Sequence, residues 1–171
     1  MICHFAVLAV IVASTAEAEV VANAADGFTL RNAATIPVPP GMAWTALIDW
    51  RHWWSPAHSY SGTAPTLDPA AGGRLVERWP GGDVLHAIVT NAQSPKRLRP
   101  SGGFGPLQAL PVGAVFDFAL VPDGLGTNIT TTYRVVGNAA AELDGFAGPV
   151  DAVITEGFAR LTRFAVTGKP D

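Results

Sequence analysis

Between residues 27 and 136 apolar side chains recur mostly at every second position, in short runs broken by Gly, Pro and Asp. Between 149 and 164 the spacing changes to steps of four and three. The first pattern belongs to strands with one buried face, the second to one face of a helix. Seven strand-like runs are read this way, at about 27–36, 63–67, 73–79, 84–90, 96–99, 112–121 and 127–136. Asp68-Pro69, Gly72-Gly73, Pro80-Gly81-Gly82-Asp83 and Pro122-Asp123-Gly124 separate them as turns. Close turns between short strands predict an antiparallel meander.

Two interruptions are helical. After Pro37-Val38-Pro39-Pro40, Trp44, Leu47 and Ile48 fall at i, i+3 and i+4, which predicts a helix over 42–49. Trp50-Arg51-His52-Trp53-Trp54-Ser55-Pro56 continues it as a second short helix. At the other end Val150, Ile154, Gly157, Leu161 and Phe164 mark one face of a helix over 149–164, with Pro149 in its first turn and Glu156–Arg160 as an i, i+4 pair. The sheet and this helix each need a partner for an apolar face, and packing one on the other satisfies both. The expected class is α+β: a curved antiparallel sheet of about seven strands wrapped around a long C-terminal helix.

The start of the chain reads differently. Residues 5–13 are unbroken apolar sequence, too short to span a bilayer, and Ala16-Glu17-Ala18 has the small-x-small pattern of a signal-peptidase site. A cleaved signal over 1–18 and one domain over 19–171 are expected, in an exported, periplasmic or secreted protein. A retained anchor, a buried strand or helix, and a cut after Ala24 in Ala22-Asn23-Ala24 are the alternatives. The single cysteine, Cys3, lies in this segment. A mature chain would therefore carry no disulfide and no thiol nucleophile.

Composition narrows the function classes. Hydrophobic residues make up 49% and charged residues 15%, which excludes a disordered chain. The net charge of −3, with no basic run longer than Lys96-Arg97-Leu98-Arg99, argues against nucleic acid or an anionic membrane as partner. His52, His58 and His86 do not fall at metal-ligand spacings, there is no Gly-x-Ser-x-Gly elbow, and no cofactor or metal is expected.

The order strand, Pro-bounded helix with Trp44, Trp53-Trp54-Ser55-Pro56, Gly72-Gly73, Gly126-Thr127 and terminal amphipathic helix resembles the SRPBCC superfamily of polyketide cyclase-like, START-like and pollen-allergen-like proteins. The resemblance covers about residues 26–166. It implies a helix-grip fold with a deep cavity between sheet and last helix. It says little of chemistry, since the superfamily holds carriers, receptors, cyclases, hydrolases and chaperone cofactors.

The strongest candidate chemistry is a hairpin. Centring its turn on Gly81-Gly82 sets Glu77 opposite His86, Trp79 opposite Val84 and Leu75 opposite Ile88, all six on one face. A carboxylate and an imidazole then meet on an otherwise apolar face. They could serve as acid and base, hold a ligand's polar end, or form an ion pair that only fixes the hairpin. Trp53, Trp54 and His58 form a second group, whose indoles could line a cavity mouth or pack as core; Ser55, Ser59, Tyr60 and Ser61 in the same stretch read as turn residues. Ser101-Gly102-Gly103-Phe104-Gly105-Pro106 reads as a loop or a flap with Phe104 at its tip. Tyr133 is in phase with Ile129, Thr131 and Val135 and points inward, as does Phe116 in its strand. Gly157 sits mid-stripe in a helix, where it costs about 1 kcal/mol against Ala, so it must make room either for a ligand or for a strand.

Trp53, Trp54, Glu77, Trp79, His86, Phe104, Phe116, Tyr133, Ile154, Gly157 and Leu161 are thus the candidate binding residues for a small, mainly hydrophobic molecule. An enzyme with Glu77 and His86 as acid/base, and a protein-interaction module, are the other readings.

Overall fold

The computed structural model describes residues 17–171. Eight antiparallel strands form one sheet: β1 (Glu17–Ala24), β2 (Gly27–Ile36), β3 (Thr66–Leu67), β4 (Arg74–Trp79), β5 (Gly82–Gln93), β6 (Arg97–Ser101), β7 (Gly113–Asp123) and β8 (Gly126–Val136). Their order is β1-β2-β8-β7-β6-β5-β4-β3. Helices α1 (Pro40–Ile48) and α2 (Trp50–Trp53) follow β2, and α3 (Asp144–Thr167) closes the chain across the sheet. The fold is α+β and of the helix-grip kind, as expected.

Alternation positions the core. Phe28, Leu30, Ala34 and Ile36 of β2, Phe116, Phe118 and Leu120 of β7, and Ile129, Tyr133 and Val135 of β8 point under α3, with polar residues outward between them. Thr155 of α3 donates to Asn32 Oδ1 at 3.1 Å, pinning helix to sheet. Gly168, at φ 73, ends α3 by donating its N–H to the Phe164 carbonyl.

Three expectations need correction. The eighth strand, β1, is exposed at every position, so it shows no alternation to read. It pairs with β2, from Glu17 opposite Ala33 to Ala24 opposite Gly27. The expected signal segment lies almost wholly outside the described residues; of it, only Glu17 and Ala18 are described, and they begin this strand. Next, α3 starts at Asp144, so Pro149 sits inside the helix and not at its first turn. The Gly145, Gly148 and Pro149 cluster reads as a break, yet the buried Leu143 anchors this end by donating its N–H to the Ala25 carbonyl at 2.9 Å. Finally, Glu156 and Arg160 do not pair with each other. Glu156 bonds His58 at 2.7 Å, while Arg160 donates to the Trp53 carbonyl at 2.8 Å and to Asp171. Both side chains clamp the α2 region to α3.

The hairpin register also differs. Pro80 and Gly81, the latter at φ 94, form a two-residue turn, so Trp79 faces Gly82 and Glu77 faces Val84. A bulge follows: Val76 faces Leu85 but Leu75 faces Ala87, leaving His86 as the extra residue. His86 and Ala87 are consequently both buried, and Ile88 turns outward, 44% exposed, instead of sharing the inner face.

Candidate functional site: a cleft beside the aromatic core

The layer between sheet and α3 is divided. Under the C-terminal half of α3 it is filled. Trp50 lies 4.4 Å from Trp53, 5.7 Å from Phe118 and 6.3 Å from Phe116, ring centre to ring centre. Trp53 Nε1 donates to the Leu47 carbonyl at 3.2 Å. Around Trp53, Phe116, Gly157, Phe158 and Leu161 no space admits a water molecule. Gly157 is explained here: a Cβ at this position would lie 3.0 Å from the Trp54 ring. It makes room for an indole, neither for a ligand nor for a strand.

Under the N-terminal half of α3 the layer opens into a cleft of about 480 Å³, within the usual range for small-molecule sites. Trp54, Phe104, Phe146, Val150, Val153 and Ile154 supply its apolar walls, and His58, Tyr60 and His86 its polar groups. Its lining contains no Lys, Arg, Asp or Glu.

Residues 55–61 form a strap along one side of this cleft, tied at three points. His58 Nε2 meets Glu156 of α3 at 2.7 Å. The Tyr60 hydroxyl donates to the Gly105 carbonyl at 2.9 Å, joining the strap to the glycine-rich loop. The Tyr60 amide donates to Glu77 Oε2 at 3.2 Å, and the Ser61 amide donates to Oε1.

Glu77 is only 1% exposed, and His86 Nε2 lies 3.1 Å from its Oε2. Burial alone would raise the Glu77 pKa, but the hydrogen bonds of Ser61, Tyr60 and His86 outweigh it and hold the carboxyl below its ordinary value. Burial pushes His86 down, and the neighbouring Glu77 only partly opposes it. The pair is therefore a carboxylate with a neutral imidazole. The remaining ring nitrogen, Nδ1, accepts from Gln108 Nε2 at 3.3 Å. The same amide nitrogen lies 3.5 Å from the Leu85 carbonyl. The Glu77 carboxylate can only accept, so Nε2 carries the proton and Nδ1 is the acceptor, which the NH₂ end of Gln108, also facing the Leu85 carbonyl, satisfies. Phe104 stacks on the imidazole at 6.0 Å and 13°.

Of the residues singled out from the sequence, Trp54, His86, Phe104 and Ile154 line the cleft, and Glu77 stands behind His86. Tyr133 is buried behind Phe104; its hydroxyl donates to the Gly102 carbonyl and accepts from the Phe104 amide, both at 3.2 Å. It holds the glycine-rich loop. Trp53, Phe116, Gly157 and Leu161 belong to the filled layer. Trp79 is away from the cleft, its ring lying over Gly82 of its own turn. Phe146 and Val153 went unrecognised, Phe146 because it precedes the expected helix start and Val153 because it is off the main stripe.

No protein-family model matches this chain, and no curated protein matches it. Solved structures do. CalU16 from Micromonospora echinospora aligns with a TM-score of 0.60 at 16% identity, over 92% of this chain and 86% of its own. A Thermobifida fusca protein solved by NMR aligns at 0.57 and 23% identity, over 80% and 92%. Protein MLL2253 from Mesorhizobium loti aligns at 0.54 and 21%, over 78% and 95%. At these identities the likeness is one of fold.

Proposed function

We propose that this chain is an SRPBCC-like helix-grip protein that binds a small, mainly apolar molecule in the cleft between the strap, the glycine-rich loop and the first half of α3. The observation that carries the reading is an apolar cleft of about 480 Å³ ending on a buried Glu77–His86 pair. An apolar wall with few placed polar groups is the usual make-up of a small-molecule site. The expected experiment is native mass spectrometry of protein purified gently from its own host. A co-purifying small molecule, released on denaturation, supports the reading. Val153→Trp should fill the cleft and weaken binding at least tenfold in Kd, on the order of 1.4 kcal/mol, without unfolding the protein. An empty wild-type spectrum, together with no binding of apolar probes by titration, would overturn it.

A second reading is favoured by one detail. A neutral imidazole backed by an ionised carboxylate is the arrangement of a general base with its orienting group. On that reading His86 takes a proton from the bound molecule and Glu77 stabilises the imidazolium. Turnover lost in Glu77→Gln while binding survives would separate enzyme from carrier.

A further inference from the structure

We infer that the ligand of this cleft is neutral and carries a hydroxyl, which donates to His86 Nδ1 in place of the Gln108 amide. The inference rests on the binding reading above and names the ligand's polar chemistry.

Three observations carry it. First, of the two ring nitrogens of His86 only Nδ1 can accept from a ligand. His86 lines the cleft; its Nε2–H is committed to Glu77, and Nδ1 holds a lone pair. Secondly, the group now on Nδ1 is replaceable. Gln108 is half-buried and makes only long contacts of 3.3 and 3.5 Å there; it lies outside the cleft lining, so its withdrawal is what opens Nδ1 to a ligand. By contrast, the bonds on the Nε2 side run to a carboxylate 1% exposed and fixed by two strap amides. Thirdly, charge is unwelcome at this end. No Lys or Arg lines the cleft, so a carboxylate or phosphate would meet a neutral imidazole with the Glu77 carboxylate directly behind it. His58, the other imidazole in the lining, is already held by Glu156, whose carboxyl that contact keeps below its ordinary value. An ammonium group would find no carboxylate in the lining either: Glu77 is buried behind His86, and Glu156 is turned to His58.

The test uses three probes that share one flat apolar body: 2-naphthol, 2-methoxynaphthalene and 2-naphthoate, each titrated against the wild-type protein near neutral pH by Trp fluorescence. Burial of apolar surface alone ranks the methyl ether first, because it has more carbon and no hydroxyl to desolvate. A hydrogen bond to Nδ1 reverses that order. The expected result is 2-naphthol tightest, about five- to tenfold over the ether, with 2-naphthoate weakest. His86→Leu should restore the order set by burial alone. Gln108→Ala should keep or strengthen the preference for naphthol. An ether that binds as well as naphthol, a naphthoate that binds best, or a preference lost in Gln108→Ala would each overturn the inference while leaving the cleft a binding site. If none of the three probes binds, this inference falls, and the binding reading falls with it where the native spectrum of the wild type is empty as well.

Discussion

The two halves of α3 lie over the same sheet and are treated differently. The C-terminal half covers a layer closed by Trp50, Trp53, Phe116 and Phe118, with Gly157, Phe158, Leu161 and Ala165 set into it. The N-terminal half, with Gly145, Gly148 and Pro149, is held at its end by Leu143 and leaves the cleft beneath it. Ile154 borders both regions. The contrast shows that a helix-grip interior need not be hollow throughout. Here aromatic bulk from α2 fills one half, and the cavity survives only where that bulk ends.

The comparison can be broken most forcefully at Trp53. Trp53→Ala should lower stability by about 3–5 kcal/mol, measured by urea unfolding, because it empties a fully packed site. If the variant still folds, it should also admit apolar probes under the second half of α3, making the two halves alike. A loss below about 1 kcal/mol would mean that the packed half is not the stabilising one.

A smaller effect is expected on the open side. Glu77→Gln removes the charge that gathers the Tyr60 and Ser61 amides and the His86 ring. A loss of about 1–3 kcal/mol is expected, with faster amide hydrogen exchange confined to residues 55–61. Exchange that accelerates equally in α2 and α3 would argue against a local strap.

The mildest probe is pH. His86 titrates below its ordinary 6.5 in the folded chain. Between that folded value and 6.5 the unfolded chain binds a proton that the folded one refuses, so stability falls as pH drops below about 6.5. Glu77 and Glu156, both held below the ordinary 4.5, add their losses under that value as pH falls through their folded values. The urea midpoint should therefore decline on mild acidification in the wild type and much less in His86→Leu. The response belongs to the open half, where these groups lie.

How far the sequence revealed this depends on the element. β2, β7 and β8 alternate cleanly, so Tyr133 and Phe116 could be placed inward from spacing alone. β1 could not be seen, because a strand exposed on both faces has no periodicity. The start of α3 was hidden by residues that normally end helices, and with it Phe146. The Glu77–His86 meeting was legible although its register was two residues out. A shift of two preserves the face of every side chain, and the bulge keeps His86 inward while turning Ile88 away. What spacing cannot report is which interior space remains empty. That depends on how three indoles stack, and so Trp53, Phe116, Gly157 and Leu161 could not be told apart from true cleft residues.

The close approach of Gly157 to Trp54 has an evolutionary side. A methyl at 157 meets the indole at 3.0 Å, so substitutions at the two positions are not independent. A lineage that shortens residue 54 frees helix α3 to accept alanine, gaining helix propensity as it widens the cleft. A lineage that keeps the indole can take alanine only if the ring gives by a few tenths of an ångström. Among relatives of this chain, the pair should change together, and residue 157 should be larger where the cleft is wider.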